Sequence, residues 1–226
     1  MAEMGGKNVE NKKVNLKVIG PDIPKKLNEI SLSNEYIESE AYFEEIYISN
    51  ETIDNQAADH VVFNKAVFKN VTFKNVSFKY ADLTDVRFEN CDLSNVDMSF
   101  STIHKVEILN CKTVGINLSE CTLRNVTFHN CHGKYALFGF ADLKQVNFNS
   151  CFLGNSDFHE SKFSKIGFVD CNLQESRMTG TKLKDIDLTS CEIDGMDLSL
   201  EDLYGCTVLP EQVTAFAGLL GVKLKF

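Results

Sequence analysis

Six cysteines recur at intervals of twenty residues: Cys91, Cys111, Cys131, Cys151, Cys171 and Cys191. Cys121 and Cys206 complete a set of eight. Thiols in that number invite a zinc site or a disulfide framework. The spacing fits neither. No C-x-x-C pair exists, and a twenty-residue interval lines thiols up along a ladder instead of around a tetrahedral centre. The expected role is reduced packing inside a core, because free cysteine is among the most buried residue types. The five histidines (His60, His104, His129, His132 and His159) carry general-base and metal-binding chemistry in principle. They also lack a metal-spaced pair, and His104, His129 and His159 fall on three different sides of a twenty-residue coil. No nucleophile elbow or phosphate loop is present. The expectation is a protein that is not an enzyme, with no metal and no cofactor.

What positions these side chains is a stricter period. Between positions 63 and 208 every fifth residue is apolar, and only Thr113 and Gly133 among 30 positions depart from it. Two residues ahead runs a second series: Val61, Ala66, Val71, Val76, Ala81, Val86, Cys91, Val96 and onward. It is small or β-branched almost throughout, with Met196 and Glu201 as exceptions, and all eight cysteines belong to it. Neither the helical period of 3.6 nor the strand period of 2 produces such a pattern. A fixed internal repeat marks a solenoid.

Five residues with two inward positions describe one short side of a coil. Likeness at twenty residues gives the number of sides. Phe68, Phe88, Phe128, Phe148 and Phe168 form one column, with Ile108 completing it. Asn90, Asn110, Asn130, Ser150, Asp170 and Ser190, each preceding a cysteine, are turn formers. Four five-residue sides per coil follow. Stacked about 4.8 Å apart, the seven coils of residues 61–200 would make a rod roughly 35 Å long.

The chain of 226 residues, 43% hydrophobic, can bury a full core as one domain. It has no apolar run long enough to span a membrane and no secretory signal at its start, so the expectation is a soluble cytoplasmic protein. Residues 1–40 read as an N-terminal tail and cap. Within them 1–13 are polar and expected to be disordered, 14–19 suit a strand, and 25–29 suit a short helix after Pro21 and Pro24. Residues 41–60 hold the five-residue phase at Phe43, Ile48 and Ile53, yet Glu51 and Gln56 occupy small-core positions. A degraded first coil and a cap both fit. The β-helix would span 41–208. Beyond it, Pro210 can open an α-helix, with Val213, Phe216, Ala217 and Leu220 as its apolar stripe and Gly221 as its stop. Val222, Leu224 and Phe226 alternate with Lys223 and Lys225 as a final strand. Residues 209–226 read as an end cap or, since so much apolar surface on a small terminal element often seeks a partner, as a homodimer interface.

Net charge is −9, and it is uneven. Residues 61–80 hold Lys65, Lys69, Lys74 and Lys79 and no acid. The last coil region holds Asp185, Asp187, Glu192, Asp194, Asp197, Glu201 and Asp202 against Lys182 and Lys184. An ordinary solvated surface explains these charges, and so does a surface suited to a basic DNA-binding groove. Lys105, Arg124, Lys144, Lys162, Lys165, Lys182 and Lys184 form a basic stripe on one side. Among outward residues, Tyr80, Phe100, Phe140 and Leu200 share a corner column, with Tyr135, Leu137 and Phe152 near it. They either cover corners or anchor a partner.

Ala81-Asp82-Leu83-Thr84-Asp85 and Ala141-Asp142-Leu143-Lys144-Gln145 resemble the A-(D/N)-L-x-x unit of the pentapeptide-repeat family, over about two-thirds of the chain. The resemblance implies an all-β, right-handed quadrilateral β-helix. Within that family, Glu89-Asn90-Cys91-Asp92-Leu93-Ser94-Asn95-Val96, Gly139-Phe140-Ala141-Asp142-Leu143-Lys144-Gln145-Val146, Leu200-Glu201-Asp202-Leu203-Tyr204-Gly205-Cys206 and the terminal Leu219-Leu220-Gly221 resemble the Qnr-like proteins of Gram-positive bacteria. That resemblance implies binding to DNA gyrase, with topoisomerase IV as a further candidate, and fluoroquinolone protection by DNA-like shape, with neither nucleic acid nor membrane as partner. It also favours a homodimer joined through the C-terminus. The five-residue phase runs unbroken, so no counterpart of the projecting loops of plasmid-borne Qnr proteins is visible, unless such a loop has a length that is a multiple of five. The rival expectation is an interaction module without a topoisomerase partner.

Overall fold

The computed structural model describes residues 16–33, 35–223 and 225. The expected tail at 1–13, the first residues of the expected strand at 14–19, and Leu224 and Phe226 lie outside them.

The corner is the element from which the coil is built. Every fifth residue from Glu40 to Asp185 lies in the left-handed region, with φ between 51 and 80°. That conformation turns the chain by one side, and asparagine and glycine accept it with the least steric cost. Between corners, the centre residue and the residue two before it point inward. The core therefore holds columns such as Phe63, Leu83, Ile103, Leu123 and Leu143 beside Val86, Val106, Val126 and Val146, all buried. Phe68 stacks on Phe88 at 4.9 Å, Phe128 on Phe148 at 4.8 Å and Phe138 on Phe158 at 4.6 Å. The ring spacing matches the spacing of paired strands.

Strand β1 (Asn28–Glu29) precedes the coils. The short strands β2 (Tyr42–Glu44), β3 (Ile46–Ser49), β4 (Thr52–Asp54), β5 (Val62–Asn64), β6 (Val67–Lys69) and β7 (Thr72–Lys74) each occupy one side. From the next coil, two sides fuse around a corner into β8 (Asp82–Glu89), β9 (Thr102–Leu109), β10 (Thr122–His129), β11 (Asp142–Asn149) and β12 (Lys162–Val169). All pairings are parallel, and from β2 onward partners are twenty residues apart, as in Leu123 with Leu143 and Phe128 with Phe148. The other two sides are joined by single bridges in the same register, such as Asp92 with Lys112 and Asp97 with Asn117. The result is the quadrilateral β-helix. Amide ladders reinforce a corner outside it: Asn70 Nδ2 donates to Asn50 Oδ1 at 2.8 Å and Asn130 Nδ2 to Asn110 Oδ1 at 2.9 Å.

The two departures from the apolar phase solve each other. A Cβ on Gly133 would fall 2.9 Å from Leu153 Cδ2 and 3.0 Å from Thr113 Oγ1. The neighbours above and below have closed into the space.

Residues 41–60 form a coil, since β2, β3 and β4 pair with β5, β6 and β7. The polar residues at its inward positions serve the segment that covers it. Glu51 accepts from the Leu32 amide at 2.8 Å and from Ser31 Oγ at 2.6 Å. Gln56 accepts from the Ile37 amide at 2.9 Å and donates to Glu35 O at 3.0 Å. Residues 25–29 are not helical; they bend and enter β1, which pairs with Ile46 and Tyr47. The prolines set the turn, and the coil edge takes the backbone that a helix would have used.

At the other end, Pro210–Leu220 is helical as the sequence suggests, but in 3₁₀ and not α form. Gly221 ends it at φ 70°. Gln212 Nε2 donates to Leu188 O and Cys191 O at 2.9 and 2.8 Å, so this helix satisfies carbonyls that the last coil would otherwise leave open. Val222, Lys223 and Lys225 form no strand.

Candidate functional site

The cysteine column runs through the core. The Cys91, Cys111, Cys131, Cys151, Cys171 and Cys191 side chains each donate to a carbonyl 23 residues earlier, as Cys131 Sγ does to Ile108 O at 3.2 Å. Burial pushes the Cys121 thiol up to about 12. A hydrogen bond to the Cys131 side chain, in which Cys151 keeps its proton, and burial hold Cys151 at about 12. Such thiols are poor nucleophiles and poor metal ligands near neutrality. Among the described residues no three of His, Cys, Asp and Glu are grouped to hold a metal ion.

Histidines are used locally. His60 stacks on Tyr80 at 5.0 Å, and His132 on Phe152 at 4.8 Å. His159 Nδ1 lies 2.7 Å from Asp157 Oδ1, with its ring edge-on to Phe140 at 4.5 Å.

The surface carries three features able to meet a partner. The first is aromatic. Tyr80 and Phe100 stack at 5.0 Å and remain 45% and 41% exposed. Their backbones sit at φ 57 and 63°, and Phe140 at 58°, an uncommon choice for bulky side chains. Glu120 breaks the column, so Phe140 stands apart from the Tyr80–Phe100 pair. Phe140 instead joins exposed Tyr135, Leu137 and Phe152 as a second apolar patch within two successive coils.

The second feature is the acidic end. Asp185, Asp187, Glu192, Asp194, Asp197 and Glu201 are exposed. By the twenty-residue register they occupy all four sides, so they form a collar and not a row. None of Asp185, Asp187, Glu192, Asp194 and Asp197 takes part in an ion pair among the described residues, and Glu201 reaches Lys182 at 4.0 Å. Asp202 differs from the rest. It is 1% exposed, accepting from the Gly180 and Ser199 amides at 3.1 and 3.0 Å and from Lys182 Nζ at 3.1 Å. Burial alone would raise its carboxyl; the Ser199 and Lys182 contacts outweigh this and hold it below the usual carboxylate range. It locks the last coil and offers nothing to a partner. An open hollow of about 600 Å³ lies beside it, lined by Lys182, Lys184, Leu200, Glu201 and Tyr204. The basic coil at the opposite end is largely neutralised: Lys65 pairs with Glu45 at 3.0 Å, Lys69 with Glu89 at 2.9 Å, Lys74 with Asp54 at 3.6 Å and Lys79 with Asp97 at 3.5 Å.

The third is the C-terminal cap. Phe216 and Ala217 are buried against their own coil, whereas Val213, Leu220 and Val222 are exposed. The stripe read from the sequence thus divides into an inner face that closes the coil and an outer face that stays open.

A fourth element takes in residues 16–19 of the segment expected to be a strand, and they form none. Residues 16–22 run in extended form along the outside of the coils, touching the corner residues Asp85, Asn125 and Gln145. Leu16 and Val18 are half-buried while Lys17 and Ile19 are exposed, a strand-like alternation, yet the segment joins no sheet.

Sequence models of the family decide the class of the chain. The model described as "Pentapeptide repeat region" matches residues 81–158 and 141–213, and that described as "Pentapeptide repeats (9 copies)" matches 58–102. The chain belongs to the pentapeptide-repeat family. Among solved pentapeptide-repeat structures, a trypsin-treated variant of QnrB1, described as a plasmid-mediated fluoroquinolone resistance protein, superimposes with a TM-score of 0.50 at 20% identity, covering 88% of this chain and 95% of its own. Full-length QnrB1 aligns at a TM-score of 0.28 and 15% identity, over 80% and 100% of the two chains. HetL, involved in heterocyst differentiation regulation in the cyanobacterium Nostoc, aligns at 0.26 and 15%, over 75% and 87%. These likenesses concern the fold. Curated protein sequences give no match. No helix among the described residues of this pentapeptide-repeat protein is long and apolar enough to cross a membrane.

Proposed function

We propose that this pentapeptide-repeat protein is a binding protein and not an enzyme. Its partner is a type II topoisomerase: DNA gyrase first, topoisomerase IV as a further candidate. It occupies the DNA-binding groove as a DNA-like rod and protects the enzyme from fluoroquinolones. The observation that carries this reading is the collar of carboxylates closing one end of an uninterrupted rod, five of them without an ion-pair partner among the described residues. Unpaired carboxylates keep their full attraction for a basic groove, whereas the paired lysines at the other end oppose it little. The structural likeness to QnrB1 supports the same choice. Contacts come from the collar and from the aromatic residues Tyr80, Phe100 and Phe140. A homodimer joined through Val213, Leu220 and Val222 would bring two collars to the centre of a longer rod.

A second reading, an interaction module without a topoisomerase partner, draws on the distribution of the collar over four sides, where one row would serve a single groove better. Gyrase supercoiling and ciprofloxacin-stabilised cleavage, measured with the purified protein titrated in, separate the two. Restored supercoiling with less cleaved DNA supports protection. Inhibition without rescue supports binding alone. No effect on gyrase or topoisomerase IV supports the interaction module.

A further inference from the structure

Residues 16–22 cross five successive coils at right angles to the strands. Leu16 Cδ2 lies 3.7 Å from where a Cβ on Gly167 would stand, Gln145 Nε2 donates to Lys17 O at 3.3 Å, and the Ile19 amide donates to Asn125 Oδ1 at 3.2 Å. Gly20 passes Glu107, whose Oε1 lies 3.0 Å from the Cβ position of that glycine. The Asp22 amide donates to Asp85 Oδ1 at 2.8 Å. Four coil steps span about 19 Å and six extended residues about 20 Å, so a straight peptide matches the rise of the ladder.

The track has features of a peptide site. Its floor is the outer surface of β8–β12 next to the corner. One wall is a column of polar corner residues, Asp85, Asn125 and Gln145, whose side chains read peptide amides and carbonyls and not peptide side chains. Gly167 leaves the trough open, since any Cβ there would lie 2.5 Å from Asn147 Oδ1. That same Asn147 Oδ1 is buried and has no hydrogen-bond partner, an acceptor the present occupant does not use. The occupant is also lightly held. Its hydrogen bonds to the coil all run through side chains, and Lys17, Ile19, Gly20 and Asp22 remain exposed.

We propose that this trough is a binding site for an extended peptide with apolar residues at alternate positions, filled in this structure by the chain's own residues 16–22. Tethering gives the internal segment a high effective concentration, which masks the site from peptides in solution. Recognition in this mode resembles strand addition in being read from the main chain, but side chains replace the sheet edge.

Two measurements test it. The first uses the full chain carrying Leu16→Asp, Val18→Asp and Ile19→Pro, which weakens the internal segment and leaves the trough intact. A fluorescent synthetic peptide of native sequence 14–24 should bind this variant saturably and at least tenfold more tightly than the wild type. Adding Asn125→Ala and Gln145→Ala should abolish that binding. Failure of the variant to bind, equal binding to the wild type, or indifference to the two alanines overturns the proposal. The second is hydrogen exchange on the wild-type chain, which needs no variant to fold. The Ile19 and Asp22 amides should exchange faster than those of β8–β12; exchange only through global unfolding would make the segment a fixed part of the fold and overturn the site.

Discussion

The Gln56 side chain leaves the coil core to meet the backbone of Ile37, its Oε1 accepting from the Ile37 amide at 2.9 Å. A polar residue at a position otherwise kept for small apolar side chains thereby joins the first coil to its cover. Gln56→Leu should lower stability by about 1–3 kcal/mol, because the Ile37 amide and Glu35 carbonyl lose buried partners. Chemical denaturation checks the size of the loss. Limited proteolysis checks its place, with new cleavage expected first around residues 30–40.

Gly133 offers the opposite experiment, in which an atom is added. Gly133→Ala places a methyl against Leu153 and Thr113 at distances below contact. A loss of about 1–3 kcal/mol is expected from overpacking. Gly133→Ala combined with Leu153→Ala should cost less than the sum of the two single losses, and a double-mutant cycle measures that coupling.

Burial holds the Cys121 thiol at about 12, against about 8.5 in an unfolded chain. Below the lower value both states keep the proton and its contribution to stability is complete. Above it the unfolded state ionises first, so stability falls as pH rises toward the folded value. Between about pH 7 and about pH 10 the denaturation midpoint should drop more in the wild type than in Cys121→Ala. Equal drops would mean that this thiol ionises freely in the fold.

The two faces of the terminal helix predict two distinct phenotypes. Val213→Asp with Leu220→Asp should leave the melting transition near that of the wild type and yield a monomer by sedimentation, if the outer face joins two chains. Phe216→Asp should lower the transition, because this ring is buried in its own coil.

Neutralising the collar with Asp185→Asn, Asp187→Asn, Asp194→Asn and Asp197→Asn should change stability little, as none of these groups has an ion-pair partner among the described residues. Any effect on gyrase should weaken several-fold and lose its salt dependence. Asp202→Asn, by contrast, should destabilise the last coil with no direct effect on binding, a difference that melting and supercoiling assays read separately.

The coil was legible because its inward columns repeat without interruption. Phe68 above Phe88 could be placed from spacing alone. Where the sequence misled, a residue type had a second use. Glu51 and Gln56 look like defects until their backbone partners are known, and Asp202 reads as one more surface acid although it turns inward. Phe216 and Leu220 share a helical stripe, and only packing tells that they face opposite ways. The segment at 16–22 was hardest to foresee. It pairs with no strand, and its contacts lie about a hundred residues away at Asn125 and Gln145.

The corner at every fifth residue also sets a rule for how such a gene can change length. Duplicating one repeat in frame turns everything downstream by a quarter of the cross-section. Duplicating four restores every column. The acidic collar, present on all sides, looks the same after a quarter turn. The Tyr80–Phe100 pair and the patch around Phe140 do not, and neither does the column that holds residues 16–22. Repeats can therefore be gained or lost singly between Gly167 and the collar, whereas between Tyr80 and Gly167 only whole coils preserve the alignment.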